Sequence, residues 1–345
     1  MSRILATASA ALAAGLVFAP SAFAFDCAKA ATPVEKAICD DPALKAADDA
    51  MGAAYADVAR RVSAEQKPML KGNQLAWLKR RDEMCMWQEG PARTECLLNE
   101  TNQRADFLRA KPASGPGLRT AMTPWFYSRA QTKTECSAEV AVYKFGDAAK
   151  GEGEKGFDAW VKATLEGMET ENGERVVEPG FEYDCSYDAS MVVTYASPDL
   201  IAAKIPSYMY GGGAHGNSNE VAIAVDLKEG AILSYADVFK AGATPKLIEA
   251  CTADILREKI ERFTDTSDPG SAAEVEAQAR EDLKTNAEAL SQGVGDFANW
   301  QIYDDRAEIY FPPYSLGSYA EGYYVCTLPK ALLAEAAGPK GWIVP

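Results

Sequence analysis

Histidine is almost missing from this chain: His215 is the only one in 345 residues. With no Cys-x-x-Cys pair either, the common ligand sets for a bound zinc ion are excluded. No Gly-x-Ser-x-Gly, Ser-x-x-Lys or His-Glu-x-x-His run occurs, and no phosphate-cradling Gly-x-x-x-x-Gly-Lys-Ser/Thr loop. A histidine-assisted nucleophile would have to draw on His215 alone. These gaps point to a protein that is not an enzyme and takes no cofactor and no metal. Paired carboxylates are the one catalytic arrangement left open, since 50 acidic residues are present and distant ones can meet in the fold. Apolar runs are short as well. The one at Ile4–Phe18 is too short for a membrane span, and no other comes close.

What that run does fit is an export signal. Arg3 supplies the positive start, Pro20 ends the apolar stretch, and Ala22-Phe23-Ala24 forms a small-x-small cleavage site. Residues 1–24 read as a signal peptide, with the mature chain starting near Phe25. A lipid anchor on Cys27 is disfavoured because Asp26, not a small residue, precedes it. All eight cysteines follow the cleavage site: Cys27, Cys39, Cys85, Cys96, Cys136, Cys185, Cys251 and Cys326. An even count in an exported chain reads as four disulfides, formed in the periplasm or outside the cell.

Charge divides the mature chain. Residues 25–110 carry 13 basic and 14 acidic side chains, whereas residues 111–345 carry 21 and 36. The second part repels nucleic acid and anionic lipid and attracts basic partners at long range. The plainer reading of such acidity is solubility. A break falls at Lys111–Gly117, where two prolines and two glycines end a helical pattern. The expected architecture is two domains. An all-α, disulfide-stapled helical hairpin module (25–110) and a linker (111–123) precede an α+β domain (124–345) with a mainly antiparallel sheet and packed helices.

The first module is marked by helix starts. Thr32-Pro-Val-Glu35 and Ser63-Ala-Glu-Gln66 have the form of capping boxes, and Asp41-Pro42 opens another helix. Leu44, Ala47, Met51, Tyr55, Val58 and Val62 recur at spacings of three and four, as a buried helix face does. Two antiparallel helices joined near Val62 would bring Cys39 to Cys85 and leave Cys27 for Cys96. Local pairing, Cys27 with Cys39 and Cys85 with Cys96, is the alternative. In the second module, β-rich runs at Ala138–Phe145, Met191–Ala196 and Glu220–Leu227 precede helical stretches at Pro245–Phe263 and Ala272–Leu290. A hairpin around Asp304-Asp305 and a last strand at Tyr323–Leu328 follow. Cys136–Cys185 and Cys251–Cys326 are natural bridges there.

Asp26-Cys27, Thr32–Cys39, Tyr55, Gln74-x-x-Trp77, Arg81-Asp82, Cys85, Cys96, Arg104 and Leu108 together resemble the family named after the lysozyme inhibitor LprI. Tyr210-Gly-Gly-Gly-Ala-His215, Val225–Gly230, Tyr235–Phe239, Ile309–Tyr314 and Tyr319–Gly322 resemble the extracellular domain of the lysozyme-receiving anti-sigma factor RsiV. The two resemblances imply one partner, a basic lysozyme, bound mainly by the acidic α+β domain. The residues expected to touch it are Tyr208, Tyr210, Gly211, Gly212, Gly213, His215, Tyr314 and Tyr319. The glycine-rich segment reads as a thin loop able to enter a cleft, or as a hairpin in which His215 bonds to backbone. Trp77 and Arg81 share a helix face, where core packing is the simpler reading. A rival function is a non-catalytic envelope protein that holds cell-wall glycan, with peptidoglycan as partner.

Overall fold

The first helices begin where side chains can close their ends. In the computed structural model, which describes residues 26–132, 135–172, 184–265, 267–268 and 270–341, Thr32 Oγ1 accepts from the Glu35 N–H. Glu35 Oε2 accepts in turn from the Thr32 N–H at 2.8 Å. This box starts α1 (Pro33–Asp40), and Asp41 caps α2 (Pro42–Arg61) by accepting from Ala43 and Leu44. Each cap contributes about 1 kcal/mol. A short turn leads to α3 (Gln66–Met86), and Gly90-Pro91 opens α4 (Gly90–Leu108). The expected stripe on α2 faces inward: Leu44, Ala47, Met51 and Val58 are buried, and Tyr55 packs on the same core. The segment read as a signal peptide lies outside the described residues.

The bridges of this module are the local ones, Cys27–Cys39 and Cys85–Cys96, not the crossed pairs that the antiparallel layout favoured. The layout itself is as expected, since Val34, Ile38, Leu44, Cys85 and Leu97 form one cluster. The difference lies in the short 3-10 turn at Cys27–Lys29, which lies back along α1, and in the tight α3–α4 turn. Both put sequence neighbours in bonding range, at Cα separations of 5.7 and 5.5 Å. Loops this short still contribute about 3 kcal/mol each by restricting the unfolded chain.

A mixed sheet follows. Its strands are β1 (Thr123–Arg129), β2 (Ser137–Lys144), β3 (Ser186–Ser190), β4 (Val192–Ala196), β5 (Leu200–Tyr210), β6 (Asn217–Asp226) and β7 (Ala231–Ile232). Spatial order is β1-β2-β3-β5-β6-β7, with β4 pairing the other half of β5. Only β2 and β3 run parallel, and that pairing needs a crossover, supplied by α5 (Glu152–Asn172). Cys136–Cys185 ties together the starts of these two strands. Pro206 sits in β5 where the strand changes partner, from β4 (through Lys204) to β3 (from Ser207), so its missing N–H leaves no gap in a ladder.

After β7 come α6 (Tyr235–Val238), α7 (Thr244–Phe263), α8 (Ser271–Thr285) and α9 (Ala287–Gly295). The single helix expected over Ala272–Leu290 is broken at Asn286. A second sheet, antiparallel, contains β8 (Trp300–Ile302), β9 (Arg306–Phe311) and β10 (Tyr324–Pro329), and α10 (Lys330–Ala336) closes the chain. Cys251–Cys326 pins α7 to β10, as expected.

The helical module and the sheet share one core. Met51, Val58, Leu70, Trp77 and Phe107 cluster with Phe126, Val140 and Tyr143 of β1 and β2. Phe107 stacks on Tyr143 at 4.6 Å, and the Tyr143 hydroxyl donates to the Phe107 carbonyl. The connecting segment is laid along β4: Ala113 N–H bonds to the Val193 carbonyl, and Gly117 N–H to that of Ala196.

Candidate functional site

The residues expected to meet a partner come from two segments about a hundred positions apart, and the fold brings them together. Gly211–Gly216 links β5 to β6. Gly212 and Gly213 have φ of +89° and +99°, which only glycine adopts without strain. The Tyr210 hydroxyl donates to the Gly213 carbonyl at 2.9 Å, closing the loop on itself. At Gly216 a Cβ would fall 2.5 Å from the Tyr208 ring, so the ring packs directly on backbone. The second segment joins β9 to β10. Its Tyr319 donates to the Gly216 carbonyl at 2.7 Å, and its ring stacks on the His215 imidazole at 3.5 Å and 16°. Tyr314, with φ of +72°, lies 5.4 Å from Tyr319 and is 61% exposed. His215 is exposed, with Nδ1 3.1 Å from the Gly216 carbonyl oxygen. The result is an aromatic patch on two loops braced against each other.

A buried ion pair seats the second loop. Ser318 and Glu321 form a capping box at its short 3-10 turn. Glu321 Oε2 also receives Lys259 Nζ from α7 at 2.6 Å and the Tyr324 hydroxyl at 2.7 Å. Lys259 is 1% exposed. Burial pushes the Glu321 carboxyl up, but the bonds from Lys259, Tyr324 and the Ser318 N–H, with the lysine charge, prevail and hold it at about 2.

Beside the patch opens a cleft of about 1000 Å³ that the sequence reading did not find, lying between the helical module and the two sheets. Its floor holds Glu139, Asp188 and Tyr208, which occupy consecutive register positions of β2, β3 and β5, and Ser128 of β1 continues the row under α3. Glu139 accepts from Ser128 and from Asn73 of α3, and Asp188 pairs with Arg80 at 2.9 Å. Lys204 pairs with Glu220 at 3.1 Å, and both bond to Gln301. Burial pushes Glu139, Asp188 and Glu220 up. Lys204 and Tyr208, four residues apart and so on one face of β5, were the available signal. The partners that make it a floor come from strands far away in sequence. Tyr208 belongs to both cleft and patch.

Four of the residues that carry the resemblance in the helical module, Gln74, Trp77, Arg81 and Arg104, are buried. Trp77 lies between Arg81 and Arg104, whose guanidinium carbons are 5.1 and 5.6 Å from its ring. Arg104 donates to Gln74 and Asn73 at 2.9 Å, and burial lowers its pKa to about 10. These groups build the frame, and of them Asn73, Trp77 and Arg104 reach only the wall of the cleft. The exposed aromatic of this module is Trp87, 88% exposed in the turn after α3, two residues from the Cys85–Cys96 bridge. Among the described residues no helix is long and apolar enough to cross a membrane, and no group of three His, Cys, Asp or Glu side chains is placed to hold a metal.

A four-helix module stapled by two local disulfides, packed on an α+β unit of two sheets, is the class of protein these features define. Residues 27–108 match the family model described as lysozyme inhibitor LprI, and residues 236–331 match a protein family of unknown function, DUF3298. Two solved structures are similar, one of a DUF3298 family protein from Pseudomonas aeruginosa and one of a DUF3298 family member from Bacteroides fragilis. Each is 17% identical with a TM-score of 0.41 and covers 65% of this chain, and 94% and 96% of their own chains respectively are covered. A comparison with curated proteins finds no match.

Proposed function

We propose that this is an exported, non-catalytic protein of the periplasm or cell exterior that binds lysozyme and inhibits it. The observation that carries the reading is the match of residues 27–108 to the lysozyme inhibitor LprI family. Four disulfides suit an oxidising compartment. Lysozymes of the basic kind would be steered toward residues 111–345, whose charge is strongly negative. On that acidic unit the Gly211–His215 loop with Tyr208, Tyr210, Tyr314 and Tyr319 offers exposed aromatic anchors on braced backbone, the composition that dominates binding energy at interfaces. Lysozyme's cleft is flanked by two carboxylates. The imidazole and free N–H groups of the loop are suited to bond to them.

The test is a titration of the purified mature chain into a lysozyme activity assay at low and at moderate salt. Inhibition that weakens as salt rises is expected, because screening shortens the reach of surface charge to about 10 Å at 0.1 M. Absence of both binding and inhibition at either salt would overturn the proposal.

A further inference from the structure

We propose that the cleft between the helical module and the sheets binds an oligosaccharide, at a site that adjoins the lysozyme patch and shares Tyr208 with it. A sheet face covered by helices ordinarily buries apolar side chains. Here the face of β1, β2, β3 and β5 carries Ser128, Glu139, Asp188 and Tyr208 in one row. Helix α3 closes over the Ser128 end of that row, where a Cβ at Gly72 would collide with Ser128 Oγ, while Glu139, Asp188 and Tyr208 line the cleft together with Asn73, Arg80 and Arg104 of α3 and α4. The volume of about 1000 Å³ stands at the upper end of small-molecule sites, roughly 300–1,000 Å³. It suits a chain of several rings better than one small molecule.

The chemistry of the lining narrows the ligand. Three of its four cations are paired with carboxylates, Arg80 with Asp188, Lys204 with Glu220 and Lys111 with Asp106, and the buried Arg104 is held by Gln74 and Asn73. Six lining carboxylates, Glu100, Asp106, Glu139, Asp188, Glu220 and Glu308, outweigh these four cations, so the cleft as a whole repels phosphate and nucleic acid. What remains is a dense alternation of hydrogen-bond acceptors and donors, the carboxylates and amides of Glu139, Asn73, Asn219 and Gln301 among them. Hydroxyl and acetamido groups present the matching alternation. Tyr208 and Tyr323 line the cleft at 40% and 52% exposure, and Tyr323 lies 5.5 Å from Tyr310. Exposed ring faces of this kind receive the C–H face of a sugar ring as they do other flat apolar surfaces.

The test uses the full mature chain and no lysozyme, so its outcome is independent of the inhibitor reading. Chitotetraose and maltotetraose, an N-acetylated and a plain glucan, are titrated separately by calorimetry, with trilysine as a cationic peptide control. Saturable binding of at least one glycan is expected, and the stronger of the two identifies the source as cell-wall-like or storage-like. Tyr208→Ala, Tyr323→Ala and Asp188→Asn should each weaken it at least about fivefold, while their melting temperatures stay near that of the parent. The parallel use of two exposed tyrosines keeps the test sound if one variant fails to fold. No saturable signal with either glycan at millimolar concentration would overturn the proposal. So would binding that all three variants leave intact, or binding of trilysine in place of glycan.

Discussion

Lys259 and Glu321 form a buried ion pair, Nζ to Oε2 at 2.6 Å, that ties α7 to the loop carrying Tyr314 and Tyr319. The Glu321 carboxyl sits at about 2 in the fold against 4.5 for the free group. Its protonation is therefore harder in the folded state than in the unfolded one. The stability it contributes is complete above about 4.5 and disappears as pH falls from there through about 2. Glu139, Asp188, Glu220 and Asp48 are pushed up by burial and act in the opposite sense. Comparison with Glu321→Gln isolates the pair. The variant should be about 3 kcal/mol less stable at neutral pH, at the low end for a broken buried pair because Asp282 stays 3.7 Å from the lysine. Below about pH 4.5 the gap to the parent should narrow, and it should close as pH falls through about 2. Denaturant unfolding at pH 7, 4 and 2.5 measures it, and a gap independent of pH would contradict the assignment.

The stack of His215 on Tyr319 gives the inhibitor reading its sharpest check. Neither His215 nor Tyr314 contributes to either main core, so His215→Ala and Tyr314→Ala should leave the melting temperature within about a degree or two. If the patch is the contact, each should weaken inhibition roughly fivefold to thirtyfold, the range for interface anchors worth about 1–2 kcal/mol. Unchanged potency in both would move the contact elsewhere on the acidic unit.

Gln66 shows how far a local motif can be read. Ser63-Ala-Glu-Gln66 has the form of a capping box, and half of it forms, with Ser63 Oγ accepting from the Gln66 N–H. The other half is redirected. Gln66 accepts from the Phe126 N–H at 2.9 Å and donates to the Phe126 carbonyl at 3.0 Å, so its amide stands in for a strand along the edge of β1. Gln66→Leu should cost about 1–3 kcal/mol by leaving those backbone groups unpaired. Hydrogen exchange at the Phe126 amide should speed up more than at amides in the middle of β5.

The same contrast separates what was legible from what was not. Thr32, Asp41 and the α2 stripe speak through residues three or four positions away, and they were read correctly. So were Cys136–Cys185 and Cys251–Cys326, whereas the stacking of His215 on Tyr319 had no mark in the sequence. The crossed cysteine pairs failed because adjacency of helix ends does not decide between sulfurs that are all near one another. The cleft was hidden because Glu139, Asp188 and Tyr208 meet only once a parallel crossover has set the order β1-β2-β3-β5. No local pattern specifies that order. The shared core of Phe107 and Tyr143 escaped for the same reason.

Two tryptophans ten residues apart separate frame from contact in the helical module. Trp77 is 7% exposed and held between two arginines, while Trp87 is 88% exposed beside a disulfide. Trp77→Ala opens a cavity in the core shared with β1 and should cost about 3–5 kcal/mol. Potency per folded molecule should stay unchanged, since the residue reaches the cleft wall but not the loops that carry the aromatic patch. Trp87→Ala removes almost no buried area and should leave stability unaltered. It tests whether the helical module touches lysozyme directly. A rigid turn bearing an exposed indole, with Glu83 and Glu89 close in sequence, is suited to a basic surface, so a loss of about fivefold in affinity is expected. Inhibition curves of both variants, scaled to the folded fraction measured by circular dichroism, give the answer. Full potency in Trp87→Ala would confine the contact to the α+β unit and leave the helical module as its support.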